Sequence, residues 1–343
     1  MIMTVPKKLG AHAGFLLIAA SSAFACTIPV FRFALDRWNA DSYHLVVPAS
    51  SSKNVELARA LLPYRGNGPA NVHIEESNGP VATEAQLFLP NDAAHTMPLW
   101  HGLPTPQSFH DILESPARKE LLQRLLAGES VVWVIVDGGA ETERLEKRLS
   151  FLERVIEIPP QDTNDPDSQL GPGPTLRLKL SSMHLSVHSN EEKLFCAMLA
   201  GTKAAAALAK GEPFAAAVFG RGRVIGAWPL SQLDDTALED ISMFLTGRCS
   251  CRVKNESPGW DVLLNVDWES ALQKVQEAQK NAPQTETKTP DLSVASLKPE
   301  TVVVTAQTQE TARAWPNHAA PISVGVLAIV AGVGWLLLRR LGR

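Results

Sequence analysis

Cysteine and tyrosine are scarce in this chain, with four of the first and two of the second among 343 residues. No two cysteines stand as C-x-x-C, which excludes the usual dithiol redox motif and the paired knuckles of a zinc ribbon. G-x-S-x-G, H-E-x-x-H, a Walker A loop and G-x-G-x-x-G are all missing. Their absence removes the common signatures of serine hydrolases, zinc peptidases, P-loop proteins and dinucleotide-binding enzymes. There is also no excess of positive charge, since the formal net charge is -4, so a nucleic-acid partner is not expected. These gaps favour a protein without catalysis of its own, and no cofactor is expected.

Long apolar runs are confined to the ends. Lys7 and Lys8 precede a short apolar stretch over 9–20, and Ala23-Phe24-Ala25 offers the small residues of a cleavage site. Residues 1–25 therefore read as a signal peptide, because the apolar core is too short to span a bilayer. Cleavage there would make Cys26 the first mature residue, which leaves its lipidation as an open alternative. Residues 319–338 carry no charge and are followed by Arg339, Arg340 and Arg343. Twenty helical residues reach about 30 Å, the thickness of the hydrocarbon layer. The arginines are expected to hold 339–343 on the cytoplasmic side. The expected topology is single-pass, with the membrane as partner and a periplasmic or extracellular ectodomain.

Two polar stretches suggest how that ectodomain is divided. The run 159–174 (PPQDTNDPDSQLGPGP) is rich in proline and glycine and reads as a linker. The stretch 281–318, rich in Thr, Gln, Glu, Pro and Ser, reads as a disordered stalk. The expected layout is a first α/β domain over 26–158 and a second over 175–280. In the first, helical spacing covers 30–38 and 55–62, and strands are expected at 43–47 and 72–74. Ser115 and Pro116 read as N-cap and first residue of a helix with Leu121, Leu122, Leu125 and Leu126 on its apolar face, stopped by Gly128. Val131-Val-Trp-Val-Ile-Val136 is apolar on both faces, as in a strand covered by helices on each side. A helix should follow, with Leu145, Leu149, Leu152, Val155 and Ile156 turned inward. In the second domain, alternation over 176–180 slips at Ser181-Ser182 and resumes over 183–187. Helices are expected at 191–199, 202–210, 236–245 and 268–280, and strands 214–219 and 224–228 are joined by a Gly220-Arg221-Gly222-Arg223 hairpin turn.

Pro213, the strand from Phe214 to Phe219, the glycine turn, the strand from Val224 to Trp228 and the helix from about Asp234 together resemble the closing half of a thioredoxin-like fold. That resemblance implies a proline ahead of a strand, then a hairpin, then a packed helix, and the first domain is expected to close in a similar way. It also implies a C-x-x-C at a helix start, where the helix dipole lowers a thiol pKa, and this chain has none. Cys26-Thr27-Ile28-Pro29 keeps one cysteine ahead of a helix, with proline at the partner position. A fold of this kind without its redox pair is expected to serve as a binding scaffold. The start around Cys26 and the Gly247-Arg-Cys-Ser-Cys251 segment also resemble uncharacterised exported bacterial proteins, which implies no activity.

Candidate sites are few. Cys26, Cys196, Cys249 and Cys251 are disulfide candidates in an oxidising compartment. Cys249 and Cys251, with or without Cys26, are also candidates for thiol–disulfide exchange, and the same pair for Cu(I) or zinc. Cys196, within Leu194-Phe-Cys-Ala-Met198, has the setting of a core residue. His184 and His188 stand four apart on an expected strand, about 13 Å from each other, too far to share an ion. Asp162, Asp165 and Asp167 lack the glycine of a calcium loop and read as a solvated cluster. Asp137, Gly138 and Gly139, at the end of a buried strand, are candidates for anion binding and equally the residues a tight turn requires. Arg221 and Arg223 read as an exposed hairpin tip able to meet an acidic partner. The reading that results is a membrane-anchored accessory or binding protein with a protein partner.

Overall fold

The apolar run at 131–136 forms strand β5 (Val131–Val136), and all six of its residues are buried. A strand without a wet face must be paired on both edges and covered on both sides. It pairs in parallel with β6 (Leu180–Leu185) and antiparallel with β7 (Phe214–Phe219). With β8 (Arg223–Pro229) and β9 (Trp260–Asp261) these strands make a five-stranded sheet, in the order β6-β5-β7-β8-β9. On one face Val131, Trp133 and Ile135 pack with α1 (Val30–Arg37), α5 (Glu141–Val155) and α8 (Asp235–Thr246). On the other, Val132, Val134 and Val136 share a cluster with α4 (Pro116–Leu126), α6 (Lys193–Ala200) and α9 (Trp268–Asn281). This computed structural model describes residues 27–281 apart from 67, 78–82, 93, 249–253 and 255–258. Residues 1–26, the stalk beyond 281, the apolar span 319–338 and the tail 339–343 lie outside the described residues. Among the described residues no helix is long and apolar enough to cross a membrane.

The second cluster continues into a four-stranded sheet of β1 (Tyr43–Pro48), β2 (Val72–Ser77), β3 (Ala85–Phe88) and β4 (Trp100–Gly102), in the order β2-β1-β3-β4. Alternation decides its faces: Tyr43, Leu45 and Val47 are buried, whereas His44 and Val46 are partly exposed. Helix α2 (Val55–Leu61) links β1 to β2, and the Asn54 side chain caps it by accepting from the Glu56 and Leu57 amides. Helix α3 (Pro106–Leu113) follows β4 and opens on a reciprocal cap between Thr105 and Ser108, which satisfies amides that the helix cannot. The two sheets repeat one arrangement. In each, the first strand (β1, β5) pairs in parallel with the second (β2, β6) and antiparallel with the third (β3, β7). The third then pairs antiparallel with the fourth, β4 or β8.

Strand pairing runs across the expected division of the chain. Strand β5, expected to close a first domain over 26–158, is the pairing partner of β6 and β7, from beyond 159–174. The described residues belong to one compact unit, and one hydrophobic cluster runs from Leu35 to Leu272. The 159–174 run is also pinned along its length. Thr27 donates its amide to Ser168 Oγ at 2.8 Å and accepts from the Asp162 amide at 3.0 Å. Arg37 reaches the carbonyls of Asp167 and Gln169. Asp36 accepts from the Gly171 amide at 2.8 Å, while Arg32 donates to the carbonyls of Gly171 and Pro174. The Arg32 and Asp36 side chains are themselves a buried ion pair at 2.8 Å. Polar backbone lying against a core needs such partners, and composition alone does not reveal that α1 supplies them.

Smaller differences have equally local causes. The apparent slip at Ser181-Ser182 is no irregularity, because β6 keeps one register with β5. Leu180 faces the α5 side while Met183 and Leu185 face the α4 side, so the buried residues change face along the strand without a change in its geometry. The expected hairpin forms, with Gly220 at φ 58 and its Cα so close to Ala34 that a Cβ would lie 2.6 Å from that side chain. In α5, Leu145, Leu149 and Leu152 are buried as the spacing predicts, but Val155 is 52 % exposed in the last turn. Leu145→Ala is expected to cost about 2–5 kcal/mol, whereas Val155→Ala should stay within about 0.5 kcal/mol. Urea titration of the two variants followed by circular dichroism checks this contrast.

Candidate functional site

The solvent-facing side of the four-stranded sheet collects histidines. The register places His44 opposite His73 on one neighbour and Phe88 on the other, and Val46 opposite Glu75. Because side chains alternate along a strand, His44, His73, Glu75 and Phe88 share that outer face. His44 Nδ1 lies 3.0 Å from Glu75 Oε1, and His73 Nε2 lies 3.8 Å from the same oxygen. His95 joins them from the loop after β3. Its ring stacks on Phe88 at 4.6 Å and 20°, with its centroid 5.0 Å from that of His44. One donor atom from each of His44, Glu75 and His95 lies within 4.8 Å of the other two.

The loop that presents His95 is held by its own polar groups. The Asp92 carboxylate accepts from the amides of Thr96 and Met97 and from Thr96 Oγ1, at 2.9–3.0 Å. Those bonds keep the Asp92 carboxyl below the ordinary carboxylate range. His95 has φ 52, a backbone conformation uncommon outside glycine. Its Nε2 is buried without a hydrogen-bond partner among the described residues. The Glu75 carboxyl is held below its usual range, chiefly by the hydrogen bond from His44 and further by the charges of His44, His95 and His73. It is therefore an anionic oxygen donor at neutral pH.

The residues singled out in the sequence lie elsewhere and apart. Asp137 has φ 50, takes its place in the turn from β5 to α5 and accepts from the Val187 amide at 3.3 Å. A Cβ on Gly138 would stand 2.5 Å from the Ile135 side chain, so packing explains the glycine without a ligand. Arg221 and Arg223, expected at an exposed tip, are only 8 % and 5 % exposed. Arg221 donates to the carbonyls of Leu35 and Asp36 and pairs with Glu269 at 2.8 Å. Arg223 pairs with Asp41 at 3.0 Å and approaches Asp261 at 3.5 Å. The acidic partners are thus residues of the same chain. His184 bonds Glu146 at 2.9 Å, and His188 follows the end of β6 with its amide bonded to Ser186 Oγ. Asp162 and Asp165 accept from nearby amides in local turns, and the Asp167 amide donates to Asp165. Cys196 is a buried free thiol in α6. Cys26, Cys249 and Cys251 lie outside the described residues.

A cleft of about 790 Å³ opens between β4, α3, α4 and the start of α6, with Trp100, Gln107, Ile112, Lys119, Lys193 and Leu194 among its walls. Next to the lining residues Glu191 and Lys193, buried Glu192 accepts from Ser115 Oγ at 2.7 Å and from the Ala117 amide at 2.8 Å. Glu114 on the rim pairs with Lys119 at 2.5 Å, and this bond holds its carboxyl below the ordinary range.

Sequence reasoning missed both features. His44 and Glu75 are 31 positions apart, so no short motif joins them, whereas His184 and His188 stand only four apart. The available signal was His73-x-Glu75, whose period of two puts both side chains on one strand face. Thr105-Pro106 followed by Ser108 likewise announces α3, which lines the cleft.

The fold and these sites define a mixed α/β protein with two sheets packed through a common core. The chain matches no protein-family model and no curated protein.

Burial pushes the Cys196 thiol up to about 12, and the thiolate is the reactive form. Native protein at pH 8 is therefore expected to leave Cys196 unalkylated by iodoacetamide, with modification following global unfolding in guanidinium. Mass spectrometry of the tryptic peptides reads the difference, and prompt labelling of the folded chain would contradict the assignment.

Proposed function

We propose that this chain is a membrane-anchored accessory protein that binds a protein partner on the far side of the membrane and performs no chemistry of its own. The cleft beside β4 carries this reading, since β4 is the last strand of its sheet among the described residues and its Trp100 also walls the cleft. An edge strand offers backbone donors and acceptors to an extended peptide, and a neighbouring pocket can select its side chains. The signal-like 1–25 and the apolar 319–338 with its arginine tail support the membrane anchor and its orientation.

A finer fold follows from the same observations. The shared strand order of the two sheets supports two thioredoxin-like units, divided ahead of β5. Pro213 immediately before β7, the β7–β8 hairpin and α8 after it agree with the resemblance. At the start of α5 this chain has Asp137-Gly138-Gly139 and no thiol, which suits a binding scaffold better than an oxidoreductase. For the partner, a photo-crosslinking residue at Gln107 or Lys193 is expected to give a discrete adduct in intact membranes, and one at Lys147 on α5 none. Equal labelling from all three positions, or substrate turnover by the purified protein alone, would overturn the reading.

Among the roles open to the cysteines, a structural crosslink is favoured over thiol exchange or Cu(I) and zinc handling by Cys249 and Cys251. Pro29 forms an antiparallel bridge with Arg248, and the Val30 amide donates to the Gly247 carbonyl at 3.0 Å. Cys26 and Cys251 each stand three positions along the sequence from that bridge, which makes them the pair proposed for the crosslink. Peptide mapping without reduction should recover a Cys26–Cys251 crosslink. A Cys249–Cys251 bond in its place would put thiol exchange first.

A further inference from the structure

We propose that His44, Glu75 and His95 bind one divalent transition-metal ion of the zinc class on the outer face of the four-stranded sheet. The inference does not depend on the partner-binding reading, which rests on the cleft at β4.

An imidazole beside a carboxylate is a common surface contact of little worth, and His44 with Glu75 alone would be no more than that. The third donor changes the argument. His95 is brought over the sheet by a loop tied to Asp92, its ring is fixed by stacking on Phe88, and its backbone is held at positive φ. That conformation is unfavourable in a residue other than glycine and persists only where the surroundings hold it. Leaving Nε2 buried and without a partner among the described residues is costly as well. A structure that fixes a histidine so firmly and leaves its nitrogen without a partner has prepared a ligand for something outside the chain. A cation seated among the three residues and bound through that nitrogen would satisfy it and the Glu75 charge together.

The geometry fits with small adjustment. Zinc lies about 2.0–2.2 Å from imidazole nitrogen and carboxylate oxygen, so two donors sharing an ion stand about 3.3–4.2 Å apart. The present separations reach no more than 4.8 Å, a gap that rotation about side-chain bonds can close. His44 and Glu75 stand on neighbouring strands in fixed register, the kind of rigid support a metal site needs. His73, 3.8 Å from the Glu75 oxygen, is placed to orient the carboxylate. Two imidazoles and one carboxylate suit zinc, copper(II), nickel or iron(II), whereas calcium and magnesium prefer oxygen ligands. Three protein ligands leave a coordination position for water or for a donor from another molecule.

The test uses the full chain in detergent, stripped by a chelator and titrated with Zn²⁺ and then Co²⁺. One equivalent is expected to bind, and the cobalt spectrum should show visible d–d bands without thiolate charge transfer. His44→Ala, Glu75→Gln and His95→Ala should each weaken zinc by about tenfold or more, with unchanged circular dichroism. His184→Ala and the double variant Cys249→Ser with Cys251→Ser should bind as the parent does. Should His95→Ala disturb the loop, His95→Gln keeps a polar side chain there and is expected to weaken zinc equally. No binding by the parent chain, unchanged affinity when His44→Ala, Glu75→Gln and His95→Ala are combined, or loss confined to the cysteine variant would each overturn the assignment.

Discussion

A strand with no face for water governs this molecule. Both sides of β5 are apolar, so neither can be left in solvent without forfeiting about 25 cal/mol for each Å² of apolar surface exposed. Odd-numbered residues call for one layer, supplied by α1, α5 and α8, and even-numbered residues for another, shared with the four-stranded sheet. Its edges need partners as well, and these come from distant chain, β6 on one side and β7 on the other. The remaining elements are arranged by what is needed to enclose those six residues.

Buried guanidinium groups provide the polar half of the same architecture. Arg32, Arg118, Arg221 and Arg223 are each at most 8 % exposed, and the first three direct donors at backbone carbonyl groups. Arg118 reaches the carbonyls of Asp111, Ile112 and Leu263, joining the end of α3 to the chain before α9. Arg32 does the same for the run after α5, with Asp36 balancing its charge. Burial raises the Asp36 carboxyl, and the nearby Arg32 charge pulls it back toward ionisation. A buried pair of this sort adds little net stability over an apolar replacement, but removing one partner leaves a costly charge behind. Its value here is positional, since a planar group with five donors can hold several carbonyls at once.

The two candidate surfaces use different sides of this framework. The cleft lies where β4 ends its sheet and the α4 and α6 starts converge, and the histidines lie on the sheet face turned away from the core. In both cases the scaffold is regular and the distinctive chemistry sits in the connection next to it, as rigid folds commonly present function. His95 is the clearest instance, because strain, stacking and an unpartnered nitrogen coincide in one loop residue.

The sequence by itself determined the elements whose signals are local. Ser115-Pro116 set the start of α4, the six-residue apolar run set β5, and the glycines of 220–222 set the hairpin, because caps, two-sided burial and positive φ are written in adjacent residues. Even the core position of Cys196 was legible from its apolar neighbours. What only the tertiary structure decided was partnership across long separations. Composition marked 159–174 as a linker, but Arg32 and Asp36 turned it into a fixed strap. Charge marked Arg221 and Arg223 as an exposed tip, but Glu269, Asp41 and Asp261 drew them inside. The imidazoles of His44 and His95 and the carboxylate of Glu75 meet only after β1 and β2 have paired and the loop beyond β3 has folded back. A side chain's chemistry is fixed by its residue type, but which other groups stand within a few ångströms of it is fixed by strand register and packing, and no local pattern encodes those.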